Sequence, residues 1–381
     1  MITNKKQIKL GILGGGQLGR MLIREAMRYP IEVHVLDPDP EAPCSKLADF
    51  FVCGSFSDYQ TVLDFGRNVD VLTIEIEHVN VEALYDLQEN GVGVFPQAHV
   101  IEMVQDKGLQ KQFYHDHDIP TSAFCFIENP KELEQLDENW FPSFLKLRKM
   151  GYDGKGVISL KHKADVTKAF DAPSILEKAV EIVTELSVIV AVGQDGMIKS
   201  FPVVDMEFNA EANLVEYLFV PSRLDAAIIN EAVSIAENVA QKCGIIGILA
   251  VEMFLDKEGK ILVNEIAPRA HNSGHHTFEA CITSQFEQLL RAVCAYPLGS
   301  TTLRSPAVMV NLLGETGFSG EAVYQGIDEV MKTEGVFLHL YGKKISKPFR
   351  KMGHATILAS TIEDAIEKAK FVKQHFKIIS Q

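Results

Sequence analysis

Short apolar runs alternate with amphipathic segments from the start of the chain. Residues 8–13 (Ile-Lys-Leu-Gly-Ile-Leu), 33–36, 50–53 and 69–74 read as strands, and segments from about 18 onward, 58–67 and 81–89 as helices. Strand-helix alternation of this kind predicts a doubly wound parallel sheet through about residue 104. Beyond it the pattern predicts a helix over 105–117, strands over 143–147, 157–160 and 185–192, and an extended segment over 174–180. Long amphipathic helices follow over 224–243 and 285–295, then strands over 307–313, 336–341 and 355–358 and a last helix over 362–373. A stretch rich in Ser, Thr and Pro at 297–306 reads as a linker. The α/β chain thus divides into 1–104, 105–183, 184–300 and 301–381.

Two apolar runs around Asp256-Lys-Glu-Gly259 signal a hairpin over 247–269 that organises the carboxyl half. A turn with Asp256 opposite Gly259 puts Glu252 opposite Val263 and Ala250 opposite Glu265. The two glutamates then share a face as diagonal neighbours roughly 7–8 Å apart. Two acids on one face of a Val/Ile/Leu hairpin are costly unless something pairs with them. Magnesium, which takes carboxylate oxygens and shares its shell with phosphates, suits that position. A dense polar run follows directly, Arg269-Ala-His271-Asn272-Ser273-Gly274-His275-His276.

Glycines supply two further candidate sites. Gly14-x-Gly16-x-x-Gly19 between a strand and a helix, with Asp37 ending the next strand, fits a dinucleotide fingerprint. Its physical content is an anion held by backbone N–H groups at a helix N-terminus, for which a ribose phosphate serves as well as a pyrophosphate. At the end of the fourth strand lies Glu75-Ile-Glu77-His78. Gly151, Gly154 and Gly156 form a backbone-exposed hairpin tip suited to closing over phosphates, with Lys146 and Lys155 supplying charge. Lys107 in the first turn of a helix is electrostatically misplaced and suggests an anionic ligand. The extended stretch Glu177-Lys178-Ala179-Val180 offers a backbone run for a base edge, with Glu185 a few residues on for a ribose diol. A second basic cluster, Lys343-Lys344 and Arg350-Lys351-Met-Gly-His354, stands out near the end.

Composition narrows the classes. A net charge of −14 argues against nucleic-acid or anionic-membrane partners, and 46% hydrophobic with 23% charged residues is ordinary for a globular protein. Six scattered cysteines without a zinc spacing (Cys44, Cys53, Cys125, Cys243, Cys281, Cys294) read as reduced thiols. No apolar leader or spanning segment is seen, so a cytoplasmic protein is expected.

Gly-Gly-Gly-Gln-Leu-Gly (14–19), Gly-Tyr-Asp-Gly-Lys-Gly (151–156), Asn-Glu-Ile-Ala-Pro-Arg-Ala-His-Asn-Ser-Gly-His (264–275) and Arg-Lys-Met-Gly-His (350–354) occur here in one order. Taken together, the chain resembles the N5-carboxyaminoimidazole ribonucleotide synthetase family of ATP-grasp ligases, the ATP-dependent carboxylases of purine synthesis. The resemblance implies a pre-ATP-grasp doubly wound sheet, a small lid domain and a larger α+β carboxyl-terminal domain. The implied reaction joins ATP, bicarbonate and 5-aminoimidazole ribonucleotide, via carboxyphosphate, into the N5-carbamate with release of ADP and phosphate. For ATP it implies Lys107, Lys146, the loop Gly151, Tyr152, Asp153, Gly154, Lys155, Gly156 and Val157, adenine contacts from Glu177, Lys178, Ala179 and Val180, and ribose on Glu185. Glu252 and Glu265 would bind Mg2+, or Mn2+ in its place, with Asn264 beside them. Arg269, His271 and Lys351 would handle bicarbonate and carboxyphosphate. The ribonucleotide would face Gly16, Gln17, Leu18, Glu75, Tyr152, Asp153, Asn272 and Ser273, with Lys343 and Arg350 at its phosphate. A homodimer and a hand-over to the mutase of the next step are implied as well. The chain departs from the usual pattern at His78, at Ala270, where proline is usual, and at Asp205-Met206-Glu207-Phe208.

Three other readings compete. A formate-using purine transformylase would share the hairpin but lack the His-Asn-Ser-Gly-His and Arg-Lys-Met-Gly-His elements. A nicotinamide-dependent dehydrogenase would use the glycine fingerprint and leave Glu252 and Glu265 without a role. A non-catalytic nucleotide-binding module has no need of Lys146, Arg269 and the acid pair together.

Overall fold

The computed structural model describes residues 7–149, 151, 156–209 and 214–380. The expectations placed on Tyr152, Asp153, Gly154 and Lys155 lie outside the described residues.

In the amino-terminal unit, strands Phe50–Cys53, Ile31–Asp37, Ile8–Leu13, Val71–Ile74 and Gly93–Val94 lie side by side in that order, all parallel. Side chains of the central strand feed two cores. Leu10 and Ile12 pack with Val33 and Val35 on one face, and Leu13 packs with Leu36, Leu72 and Ile74 on the other. Burial on both faces is what a parallel sheet requires. Strand order reverses beside the central strand, so a crevice opens at its carboxyl end between Asp37 and Glu75. Leu18 and Leu22 of helix Gln17–Ala26 share one core with Phe286 and Leu289 and with Ile189 and Ile248 of the next sheet, which joins the two units without a gap.

The second unit is a four-stranded antiparallel sheet in which Ser174–Lys178 lies between Phe124–Ile127 and Ser143–Leu147, with Val157–Leu160 at the edge. The third is a large antiparallel sheet running Ile261–Ala267, Gly247–Asp256, Ile182–Val192, Val204–Asn209, Leu214–Val220, Ala307–Leu313, Lys351–Leu358 and Val336–Leu340. Helix Ala226–Cys243 packs on it through Ala232, Ala236, Val239 and Ala240 and ends at Gly244, whose left-handed φ of 64° suits a glycine stop. Beyond residue 301, Ala307–Leu313, Lys351–Leu358 and Val336–Leu340 thus continue this same sheet, while Gly320–Gln325 pairs with Ile345–Ser346 and Lys377–Ser380 in a separate small one.

Two of the differences from the pattern-based reading bear on the site. The helix expected over 105–117 is Lys107–Asp116, because Asp106 turns extended and caps it by accepting from Gly108 N–H (2.8 Å). The strand expected over 355–358 begins at Lys351, since pairing with Ala307–Leu313 on one side and Val336–Leu340 on the other keeps Met352-Gly353-His354 extended. Among the described residues, no helix is long and apolar enough to cross a membrane, and all six cysteines are free.

Candidate active site

The organising hairpin forms, in a different register from the one the turn residues suggest. Asp256 N–H bonds to Lys260 O (2.9 Å), so the loop has three residues and ends on Gly259 at φ +80°. Continued unbroken, that register would set Glu252 opposite Asn264 and drive Glu265 toward the core face. A bulge between Glu252 and Met253 absorbs one residue, and Glu252 stands directly opposite Glu265. The extra residue is Asn264, so three polar side chains enter one cleft. Bulges beside functional sites re-aim side chains in this way.

Charge in the cleft is unbalanced. Burial, then the charges of Glu265 and Glu185, push the Glu252 carboxyl well above the usual range. Glu185, on the adjacent strand, is pushed up to about 7 by burial and by Glu265. Burial works to raise Glu265 too, but Lys107 and Lys146 outweigh it and hold that carboxyl below the usual range. Two carboxylates opposed across one strand pair, one of them still half exposed, fit a divalent cation. Among the described residues, no group of three or more His, Cys, Asp and Glu encloses an ion. The remaining oxygens would come from elsewhere, as when magnesium shares its shell with phosphates.

The lysines converge from helix Lys107–Asp116 and from strand Ser143–Leu147 of the small sheet. Lys107 Nζ lies 3.4 Å from Glu265 Oε2, and Lys146 Nζ 3.5 Å from Asn264 Oδ1. Glu177 is buried and holds Lys146 Nζ at 3.1 Å and Lys111 Nζ at 3.2 Å, and accepts from Ser122 Oγ at 3.0 Å. Asp106 holds Arg148 through both carboxylate oxygens (3.0 and 2.9 Å), which ties the base of the glycine hairpin to the start of helix Lys107–Asp116. Glycine at 156 is required by its φ of +78°.

Opposite the lysines lies a second corner. His271 Nδ1 accepts from Ser273 N–H (3.3 Å) and lies 2.9 Å from Ser273 Oγ, which is itself 2.9 Å from Ser187 Oγ. The proton therefore sits on Nε2, which lies 3.2 Å from Glu252 Oε1. Burial, then Arg269 and Lys351, lower the His271 pKa to about 3, so the ring is neutral. Arg269 Nε lies 2.7 Å from Glu77 Oε1. Lys351, the first residue of its strand, has its carbonyl capped by Lys343 Nζ at 2.9 Å.

The glycine-rich turn already holds a carboxyl group, and it is the chain's own. Gly16 N–H donates to Glu75 Oε1 (2.6 Å) and Gly19 N–H to Glu75 Oε2, while Gly15 N–H donates to Asp37 Oδ2 (2.7 Å). A Cβ at Gly16 would sit 2.3 Å from Glu75 Oε1, so only glycine allows this approach. These donors are spent before any pyrophosphate arrives, which corrects the reading of the turn as a free anion cradle. It also removes the basis of the dehydrogenase reading.

Comparison with known proteins agrees with this architecture. Residues 7–105 match a ribonucleotide synthetase preATP-grasp domain, 112–286 an ATP-grasp domain, and 307–368 a phosphoribosylaminoimidazole carboxylase C-terminal domain. The N5-carboxyaminoimidazole ribonucleotide synthetase of Thermotoga maritima superposes with a TM-score of 0.91 at 40% identity, covering 98% of this chain and all of that one (100%). The chain belongs to the N5-carboxyaminoimidazole ribonucleotide synthetase family. An Aspergillus clavatus member of that family, solved in complex with ADP and 5-aminoimidazole ribonucleotide, matches with a TM-score of 0.88 at 32% identity over 97% of this chain and 98% of its own. The chloroplastic phosphoribosylaminoimidazole carboxylase of Vigna aconitifolia is 38% identical over 369 residues, 93% of this chain, but the match spans only 65% of that relative's length.

Several residues expected to serve this family's ligands have other work here. Glu177 is committed to Lys111 and Lys146. Lys178 N–H and Ala179 N–H are used inside the sheet, on Ala123 O (2.8 Å) and Pro142 O (3.0 Å), because Ser174–Lys178 is an interior strand. The Leu18 side chain is buried in the core of the amino-terminal unit, so it offers a ligand no side-chain contact. Ser273 is 1% exposed and spends its hydroxyl on His271 and Ser187, which makes it a support for His271 and not a ribonucleotide contact. Arg350 Nη1 donates to Ile345 O (2.6 Å) and braces its own loop. Asn272 opens the short turn Asn272–Gly274, and Gln17 opens helix Gln17–Ala26. Lys111, Asp106 and Ser187 were not singled out in the sequence, and Glu77 stood there only as part of the stretch 75–78. Lys111 lies one helical turn from Lys107 and so on the same face, which is the one signal that pointed to it.

Proposed function

We propose that this chain carboxylates 5-aminoimidazole ribonucleotide at the expense of ATP, releasing ADP and phosphate, in purine synthesis in the cytoplasm. The observation that carries the reading is the opposed Glu252–Glu265 pair, flanked by Lys107 and Lys146 on one side and by Arg269, His271 and Lys351 on the other. Bicarbonate is a poor electrophile, and its phosphorylation to carboxyphosphate makes it a usable one. That chemistry asks for positioning and charge neutralisation more than for covalent help. Lys107 and Lys146 stand where ATP phosphates would need positive charge, and Glu177 fixes the Lys146 ammonium. Glu185 is the acid available to a ribose, while the end of the extended run at Ala179–Val180, beyond the strand Ser174–Lys178, is the backbone an adenine edge would meet. Arg269, oriented by Glu77, and Lys351 would bind the anionic bicarbonate and carboxyphosphate, with the His271 ring aligned by Ser273. Glu75 and Gln17 border the crevice that would take the aminoimidazole. Mg2+, or Mn2+, would be held by Glu252 and Glu265 and would screen the phosphate oxygens. A homodimer and delivery of the unstable carbamate to a following mutase belong to the same reading.

ADP release from Mg-ATP and bicarbonate should be stimulated by 5-aminoimidazole ribonucleotide and not by formate with glycinamide ribonucleotide. The reverse preference would keep the cation site and overturn the substrate.

The acid cluster predicts a pH-dependent cation affinity. Glu185 and Glu252 are raised, so near neutrality the metal-free cleft retains protons that a bound cation must displace. Affinity for Mn2+ in the presence of ADP should therefore rise from about pH 6 to about pH 8, by up to roughly tenfold per unit for each proton released. Calorimetry in buffers of different ionisation enthalpy reads the proton count directly. A flat profile without proton release would contradict the cluster.

A further inference from the structure

The His271 backbone is gripped by a residue outside the motifs above. Gln285 opens helix Gln285–Val293 and is fully buried (0% exposed). Its Oε1 accepts from His271 N–H (2.9 Å), and its Nε2 donates to His271 O (2.8 Å). One side-chain amide thus pairs with both backbone groups of one residue, as a neighbouring strand would. The second Nε2 hydrogen points to His275 Nδ1 at 3.3 Å. Gln285 is held in turn by its own N–H, which donates to Thr277 Oγ1 (2.9 Å). Glycine at 274 makes room for it, since a Cβ there would meet Gln285 Cδ at 2.5 Å.

His275 extends this grip to the other half of the corner. Its ring lies 4.7 Å from that of His354, which stacks on His339 at 4.4 Å with 6° between planes. His354 lies three residues after Lys351 on the same strand and is fixed by Tyr341 OH at 2.9 Å from its Nδ1, while His339 Nε2 lies 3.0 Å from Glu279 Oε1. Burial and the neighbouring rings push His275 and His354 far below the usual histidine range, so these two rings are neutral, and the three rings pack against one another.

We propose that Gln285 is a positioning residue for carboxylation: it clamps the His271 backbone and, through His275 and His354, keys that loop to the strand bearing Lys351. This rests on the reading of His271 and Lys351 as bicarbonate-handling groups. An error of about 1 Å in such a group costs roughly 100-fold in rate.

Gln285→Met, which keeps the volume and removes all three hydrogen bonds, should lower kcat for carboxylation roughly 10- to 100-fold with KM for ATP within about twofold. ADP formed per carbamate should rise, because carboxyphosphate is made but misdirected. In a His271→Asn background the same substitution should cost less than about threefold more, since residues acting as a unit are not additive. Gln285→Glu keeps the acceptor and loses the donors unless protonated. Its activity relative to the parent should therefore recover as pH falls from about 8 to about 6, burial having raised its pKa. A purely structural role would shift none of these ratios. Near-parental kcat and coupling in a folded Gln285→Met, independent multiplication with His271→Asn, or a pH-independent Gln285→Glu would each overturn the proposal. Full activity of His271→Asn alone would instead overturn the reading of that histidine, and the proposal with it.

Discussion

Replacing Glu265 by Gln should lower ATP turnover by roughly 1000-fold or more, about 4 kcal/mol of transition-state stabilisation, while leaving the fold intact. Glu265 is the acid of the opposed pair that stays ionised, because Lys107 and Lys146 outweigh the burial acting on it. Glu252, raised by burial and by Glu265, cannot replace that charge near neutrality. The amide keeps the shape and removes the charge that a cation needs. Stability should change little, since the loss of the Lys107 pairing is offset by relief of repulsion with Glu252 and Glu185. ADP release at ordinary magnesium, read beside the thermal midpoint, is the test. Near-normal turnover would refute the cation assignment, whereas inactivity with a collapsed midpoint would move Glu265 from chemistry to structure.

The second large effect is expected at Glu177, in stability. Lys111 keeps only 3% of its side-chain surface exposed and Glu177 6%, and Lys146 is 17% exposed. Removing one partner of a buried pair typically costs 3–5 kcal/mol, and Glu177→Ala should fall in about that range by denaturant unfolding. The sign of its pH dependence follows from Lys111, whose pKa burial has already lowered to about 8 against the pull of Glu177. A lysine lowered in the folded state releases its proton there before the unfolded chain does, so stability rises with pH across that window. Without Glu177 the folded pKa drops further and the window opens at lower pH. Glu177, which burial would raise but Lys146 and Lys111 hold below the usual carboxylate range, loses its contribution once it protonates in strong acid, so the cost of Glu177→Ala should be largest between about pH 5 and neutrality and shrink as pH rises further. A cost under about 1 kcal/mol at every pH would mean that the two lysines find other partners. ATP binding should weaken as well, since Lys146 loses the group that aims it.

Periodicity alone predicted the parallel amino-terminal sheet and both long helices, because burial on both faces of a strand and on one face of a helix leaves a local record. Local chemistry also marked the glycine turn and the acid hairpin. At the hairpin, however, the turn residues suggested the wrong register. Glu252 and Glu265 share a face because a bulge at Asn264 cancels the one-residue shift of a three-residue turn. A bulge is set by packing on both sides of the ladder, and neither side is local. At the glycine turn the pattern marked an anion site, while the occupant, Glu75, comes from 59 residues away. Glu177 was expected at an adenine edge as part of the extended run 177–180, while its carboxylate holds two lysines brought in by other elements.

What the sequence determined by itself is the inventory: which residues must be buried, which must turn, and which charged groups cannot stand without a partner. The tertiary structure decided the pairings. Whether a charge meets a ligand or a neighbouring side chain depends on contacts between residues tens to hundreds of positions apart. Such contacts carry no periodicity along the chain, so only the folded arrangement of Arg269 on Glu77, of His271 on Gln285 and of Glu265 opposite Glu252 makes one site of them.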